Sequence, residues 1–219
     1  MAIVYKLHSE TPQMRRIEKI RDALRDGAVV LYPTDTVYAI GCDLNAKSAI
    51  ERVRKLKQLS NDKPLTFLCP SLSNIAQYAI VSDASYRLIR HLIPGPYTFL
   101  LPATKLVPRL VQDPKRKTTG IRVPNHAICQ ALLQSLGNPI ISTSAPTVVH
   151  AEDQFIDSAE LFDQLDQRVD IIIDDQSPIR TQVSTILDLT QAEPIVLRKG
   201  LGWEAVADLK VTLSSQEAR

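Results

Sequence analysis

Between residues 12 and 26 the apolar positions fall at helical spacing, with Met14, Ile17, Ile20 and Leu24 on one face. Thr11 can cap this helix, Pro12 suits its first position and Gly27 can end it. The pattern then changes. Ala28-Val29-Val30-Leu31-Tyr32 is a continuous apolar run stopped by Pro33, which predicts a buried strand. A second helix is predicted over 46–57, capped by Asn45, with Ile50, Val53 and Leu56 inward. Further helices are predicted over 72–79, 84–93 and 155–166. Another runs from the cap Asn125 to Leu136 and stops at Gly137. Ser82 or Asp83 caps the 84–93 helix. Strands are predicted over 64–69, 97–101, 118–123, 139–142 and 169–173, and a pair over 183–189 and 195–198. The stretch 146–154 and the residues after Trp203 are expected to be loosely structured.

Helices and strands alternate without a strict βαβ cadence. That order predicts an α/β fold with a mixed, twisted sheet covered by helices. A chain of 219 residues suits one compact domain. Hydrophobic residues make up 44% and charged residues 23%, ordinary for a globular protein. No apolar run approaches the ~20 residues of a membrane span. The first ten residues lack the apolar core of a signal peptide. A cytoplasmic protein without membrane contact is the expectation.

Cys42, Cys69 and Cys129 are far apart and show no metal-binding spacing, so three buried free thiols are expected. The four histidines are also scattered, and surface exposure is the expectation for His126. The formal net charge of +2 does not declare a nucleic-acid binder, but residues 52–63 and 109–122 are locally basic.

Five segments could carry chemistry. Tyr32-Pro33-Thr34-Asp35-Thr36-Val37-Tyr38 delivers hydroxyls and a carboxylate at the end of a strand, where α/β sheets line their ligand crevice. The same residues could form a turn bonded to its own backbone. Residues 52–65 hold Lys57 and Lys63 around a polar loop. They can clamp a polyphosphate, or Lys55 and Lys57 can complement a helix dipole. Arg122 sits in an apolar strand opposite Ile121 and Val123 and needs a partner or a cleft. Ser142-Thr143-Ser144 and the pair Ser184-Thr185 with Arg198-Lys199-Gly200 complete the set. No Walker A motif, no GxGxxG and no nucleophile elbow occurs, and no Ser-His-Asp triad can be assembled.

Taken together, these segments resemble the YrdC-like family in order and spacing. The matching residues are Pro33-Thr34-Asp35-Thr36-Val37-Tyr38, Lys57 to Leu65, Pro94-Gly95-Pro96-Tyr97-Thr98, Arg122-Val123-Pro124, Thr143-Ser144-Ala145, Ser184-Thr185-Ile186-Leu187-Asp188 and Arg198-Lys199-Gly200. The resemblance spans about residues 15 to 200. It implies a twisted mixed sheet flanked by helices around a large positively charged cavity. Residues 1–203 would form one such domain, and 204–219 a short tail. It also implies a nucleotidyltransferase that makes L-threonylcarbamoyladenylate and pyrophosphate from ATP, L-threonine and bicarbonate, for N6-threonylcarbamoyladenosine in tRNA. Thr34, Thr36 and Tyr38 would face threonine. Lys57, Lys63, Arg122, Ser144, Ser184 and Arg198 would hold the nucleotide, with Lys57 and Arg122 catalytic. ATP would be a substrate accompanied by Mg²⁺, with no transition metal bound to the protein.

The sequence departs from the family pattern where Leu59 replaces an arginine, Pro146 an asparagine, Leu68 a histidine and Ala39 a glycine. These changes resemble the YciO-type branch. A charge-assisted hydrogen bond is worth about 1.5–3 kcal/mol, so losing one felt in the transition state lowers a rate by roughly 10- to 150-fold. Two expectations follow. One is a synthase of weakened activity. The other is a non-catalytic module of the same fold that binds double-stranded RNA, tRNA or the ribosome, with Lys115-Arg116-Lys117 either its basic patch or, as the favoured reading of that run, a solvated loop.

Overall fold

The structure, a computed structural model, describes residues 1–59, 64–146, 155–207, 209 and 212–213. Its strands are β1 (Ile3–Lys6), β2 (Val30–Tyr32), β3 (Ala39–Asp43), β4 (Thr66–Leu68), β5 (Tyr97–Pro102), β6 (Thr118–Arg122), β7 (Ile140–Ser144), β8 (Phe155–Ile156), β9 (Ile171–Asp174), β10 (Ile179–Arg180), β11 (Thr185–Asp188), β12 (Ile195–Arg198) and β13 (Thr212–Leu213). Its helices are α1 (Met14–Arg25), α2 (Lys47–Leu56), α3 (Leu72–Tyr78), α4 (Asp83–Leu92), α5 (Ala127–Leu136), α6 (Ser158–Leu165) and α7 (Trp203–Ala207). Eleven strands form one sheet in the order β1-β9-β2-β3-β7-β4-β6-β5-β11-β12-β13, and β8 and β10 pair separately. Parallel pairs such as β4 with β6 occur beside antiparallel pairs such as β3 with β7, so the sheet is mixed.

Side-chain alternation divides the core between the two sheet faces. Val30, Tyr32, Ile171 and Ile173 pack with Ile17, Ile20 and Leu24 of α1 and with Ile128, Leu132 and Leu136 of α5. Leu31, Ile40 and Ile172 point the other way, toward Ile50 and Val53 of α2, Ile75 of α3, Ile89 of α4 and Leu161 of α6. Burying one such side chain contributes about 1.5–3 kcal/mol, so both helical layers are fixed by the strands beneath them.

Most predicted elements are present, and the differences are local. α1 begins at Met14 and has no side-chain cap; Thr11 instead meets His8 Nδ1 at 3.1 Å. Met14 itself is exposed, so the inward face of α1 begins at Ile17. Asn45 and Asn125 do not cap their helices, whose N-cap residues are Ala46 and His126. Ser82 does cap α4, and its Oγ accepts from the Ser85 N–H. The helix predicted over 155–166 opens with β8, and α6 starts only at Ser158 behind the cap Asp157. Gly27 and Gly137 end α1 and α5 with φ of 92° and 80°, the left-handed backbone that glycine tolerates. Past Trp203, where loose structure was expected, α7 forms and β13 extends the sheet beside β12. The 146–154 stretch falls, from 147 onward, outside the described residues. All three cysteines are buried and free. No described helix is long and apolar enough to cross a membrane.

Candidate functional site

The sheet brings one turn and several strand ends to one region. The turn 33–38 leaves β2 and returns as β3. Its Tyr38 carbonyl accepts the Ala145 N–H at 2.8 Å, which fixes the turn beside the end of β7. Leu68 at the end of β4 lies opposite Arg122 at the end of β6. Ile186 of β11 is in register with both Thr98 of β5 and Arg198 of β12. Six predicted residues, Thr34, Thr36, Arg122, Ser144, Ser184 and Arg198, therefore line one cleft of about 170 Å³. Thr66, Thr98, Ser142 and Thr143 add further hydroxyls to its wall.

Within the 33–38 turn, Thr34 bonds locally, accepting the Thr36 N–H at 3.0 Å and donating to the Val37 carbonyl at 2.7 Å. Asp35 reaches across the sheet. Its Oδ1 accepts from Nη2 of Arg122, and its Oδ2 accepts the Asn125 N–H at 3.0 Å. Arg122 Nη1 donates to Thr36 Oγ1 at 2.8 Å. Arg122 is 7% exposed, and its Nε has no partner. The guanidinium is thus fixed at its two Nη ends by the turn.

Arg198 is held differently. Its Nε and Nη2 donate to the Ser184 carbonyl at 3.0 and 2.8 Å, and Nη2 also meets Ser184 Oγ at 3.1 Å. Ser184 Oγ in turn pairs with Thr98 Oγ1 at 2.9 Å. No ion pair joins Arg198 to a carboxylate among the described residues. Burial, and then the nearby Arg122 charge, hold its pKa below the ordinary arginine value. Two guanidiniums that repel one another across a hydroxyl-lined hollow leave room for an anion.

Lys57 lies behind this wall, with Nζ 3.4 Å from the Ala145 carbonyl, and burial lowers its pKa. It lines neither this cleft nor the larger cavity beside it. Lys63 lies outside the described residues.

Tyr38 faces the adjoining cavity of about 800 Å³, whose wall shares Thr34 and Thr36 with the cleft. Its hydroxyl is not free, because it donates to Asp175 Oδ1 at 3.0 Å. Asp175 also accepts the Ser177 N–H at 3.2 Å and stands 3.4 Å from His126 Nε2. The His126 side chain is only 13% exposed, against the expectation of a surface histidine. It is drawn in because α5 starts over the 33–38 turn, tied there by Asp35 and Asn125. Burial opposes ionisation of Asp175, but His126, the Ser177 N–H and Tyr38 outweigh it and hold the carboxyl below the usual range. Glu10, Asp35, His91 and Arg180 complete the charged lining of this cavity. Asp175 and His126 carry no motif spacing, since they lie 49 positions apart in the chain. Only the pairing of Asp174 with Lys6 at the end of β9 hints that Asp175 leaves the sheet at the cavity.

A mixed sheet covered by helices, with an arginine- and hydroxyl-lined cleft among its strand ends, defines an α/β protein. The chain belongs to the Sua5, YciO and YrdC family, whose model carries the description Telomere recombination and matches residues 22–200. It is 39% identical to the uncharacterized protein YciO of Escherichia coli over 202 residues, 92% of this chain and 97% of that one. It is 30% identical over 187 residues to the threonylcarbamoyl-AMP synthase of Vibrio vulnificus, covering 84% of this chain and 98% of the synthase. The crystal structure of E. coli YciO superposes with a TM-score of 0.83 at 38% identity, covering 92% of this chain and 97% of that one. The P. abyssi Sua5 structure complexed with L-threonine has the same fold, with a TM-score of 0.84 at 24% identity over 97% of this chain and 63% of that one.

Proposed function

We propose that this protein is a nucleotidyltransferase that makes L-threonylcarbamoyladenylate from ATP, L-threonine and bicarbonate, supplying tRNA N6-threonylcarbamoyladenosine modification. The observation that carries this reading is the joint placement of Arg122, Arg198, Ser144 and Ser184 on one cleft. Family membership and the likeness to a threonylcarbamoyl-AMP synthase support it. The 170 Å³ cleft suits a phosphate group. The 800 Å³ cavity lies in the range of small-molecule sites and leaves room for an amino acid and the nucleoside.

The chemistry needs no side-chain nucleophile. The threonine amine takes up the bicarbonate carbon and loses water, giving a carbamate. A carbamate oxygen then attacks the α-phosphorus, and pyrophosphate leaves. Negative charge grows on the phosphoryl oxygens, where Arg198 and the Nε of Arg122 can stabilise it. The cavity and cleft together hold the reactants in register, which lowers the barrier further. Mg²⁺, accompanying ATP as part of the substrate, would screen the phosphates. The cleft wall offers that ion hydroxyls but no carboxylate. Leu59 and Pro146 remove an arginine and an asparagine of the family pattern, so the turnover is slow.

The test is direct. Purified protein is incubated with ATP, threonine and bicarbonate, and pyrophosphate and the adenylate are measured. Product that disappears in Arg198→Ala supports the reading. Product no greater than in that variant overturns it.

A second reading is favoured by one observation. Lys115, Arg116 and Lys117 are exposed on a turn before β6, with only a 3.8 Å pairing of Arg116 to Asp188. Such a patch suits a phosphate backbone and therefore double-stranded RNA or tRNA. Salt-sensitive RNA binding that is lost on charge reversal at Arg116 and Lys117 supports it.

A further inference from the structure

β1 stands at one end of the eleven-stranded sheet, and its outer edge pairs with no strand among the described residues. Its register with β9 fixes which backbone groups face outward. The N–H groups of Ile3 and Leu7 donate to the Asp170 and Asp174 carbonyls, so residues 3, 5 and 7 turn toward β9. Each trans peptide points its C=O opposite to the N–H that follows. The Ala2 C=O and both backbone groups of Val4 and Lys6 therefore point away from β9. Two groups at this margin are satisfied within the chain. The Ala2 N–H donates to the Asp166 carbonyl at 2.8 Å and to Asp166 Oδ1 at 3.1 Å. The Lys6 C=O accepts from Arg16 Nη1. The Ala2 C=O, the Val4 N–H and C=O, and the Lys6 N–H are left over.

We propose that this edge pairs with the same edge of a second copy of the chain, antiparallel, about a two-fold axis at Val4. In that register Val4 exchanges two bonds with the partner's Val4, and the Lys6 N–H donates to the Ala2 carbonyl of the other copy, once in each direction. All four leftover groups of each copy are used. The Ala2 N–H and the Lys6 C=O, which an ordinary ladder would join, face one another with their bonds already made by Asp166 and Arg16. The Asp166 carboxylate of one copy thereby comes beside the Arg16 guanidinium of the other, at both ends of the pair. A parallel partner in register would set like charges together instead.

The apolar side chains agree with this pairing. Ile3, Val4 and Met14 are 60%, 50% and 52% exposed, and all three lie at this margin. Alternation puts Val4 on one face and Ile3 with Tyr5 on the other, where Tyr5 packs against the layer of α1. The two-fold sets Val4 beside the partner's Val4 and Ile3 beside the partner's Tyr5. β1 carries neither a proline nor a bulge, devices that keep edges apart. Lys6, its one charged residue, lies opposite the small Ala2 and on the Asp166 side. β9 and β2 separate β1 from β3, the nearest strand that lines the cleft. The pairing leaves the cleft open, and the inference does not depend on the reaction assigned above.

Sedimentation velocity on the full chain, untagged at its N-terminus, tests it over about 10 µM to 1 mM protein, the range of weak association. Wild type is expected to rise reversibly to twice the monomer mass. Val4→Pro removes an outward N–H, which an edge strand tolerates in the monomer. That variant should melt cooperatively and stay monomeric at every concentration. Arg16→Glu and Asp166→Arg each set like charges together at both ends, so each alone should be monomeric. Mixed in equal amounts, they place the new carboxylate against the new guanidinium and native Arg16 against native Asp166, and the dimer should return. A wild type still monomeric at about 1 mM overturns the inference. So does a dimer that Val4→Pro leaves intact, or a mixture of folded variants that stays monomeric. Species growing past two copies also overturn it, since they require β1 to join a different surface of the next copy.

Discussion

Arg122 and Asp35, 87 positions apart in the chain, form a buried ion pair in which the turn after β2 grips the end of β6. Neither side chain can be removed cheaply. A charge left alone in a buried site costs about 3–5 kcal/mol, although a whole pair can be exchanged for apolar groups at little cost. Arg122→Ala is therefore expected to lower the unfolding free energy by about 3 kcal/mol. Asp35→Asn with Arg122→Met should recover part of that loss while abolishing anion binding. Urea denaturation measures the first effect, and phosphate or ATP titration the second.

Arg198 carries charge without a carboxylate partner among the described residues, so its removal should be felt in binding more than in folding. It anchors to Ser184 by neutral acceptors. Arg198→Ala is expected to weaken ATP binding by roughly 10- to 150-fold, the worth of one charge-assisted hydrogen bond. Unfolding should move by less than about 1 kcal/mol. Calorimetric titration and a urea curve on the same variant separate the two.

Gly200 keeps that arginine in place. A Cβ there would come within 2.6 Å of the Ser184 carbonyl carbon and oxygen, which are backbone atoms and cannot step aside. Gly200→Ala should push the Ser184 segment away from Arg198, costing about 1–3 kcal/mol in stability. ATP affinity should fall with it, although Gly200 lines neither the cleft nor the larger cavity. An alanine variant with wild-type unfolding and binding would contradict this close approach.

Acid should unfold the protein partly through Asp175. Its folded pKa lies below the ordinary carboxylate value, despite burial, because His126, Ser177 and Tyr38 bond the ionised form. The unfolded chain binds the proton more readily. Stability from this group is therefore complete above about pH 4 and is lost as pH falls through the lower folded value. Asp175→Asn should be less stable at neutral pH and show a flatter decline below about pH 4. Urea midpoints across that range provide the measurement.

The thiols should be inert in the folded protein. Burial pushes Cys42 and Cys69 up to about 12, and it raises Cys129 as well. The thiolate is the reactive form, so a disulfide reagent at neutral pH should titrate none of the three until denaturant is added.

Local rules made much of this fold readable. Ile17, Ile20 and Leu24 on one face of α1, the apolar run into Pro33 and the serine cap of α4 depend only on neighbours in the chain. The hydroxyl and arginine segments were legible as candidates for the same reason: a strand end announces itself by composition. β1 and β3 escaped because edge exposure and small residues blur the alternation, and α7 and β13 because their segments are short. Cap choice failed at Asn45, whose N–H is taken by a local turn to Asp43, and at Asn125, whose N–H is claimed by the distant Asp35.

By itself the sequence determined most of the stretches that become strands and helices, the faces these bury and the polar segments that stand at strand ends. Only the tertiary structure decided that Arg122 spends its charge on Asp35 while Arg198 keeps its own, that Lys57 stands behind the wall, and that Asp175 recruits Tyr38 and His126. Element formation follows a period of two or 3.6 residues and can be read locally. Charge pairing depends on distance and burial between groups far apart in the chain, and folding alone sets those.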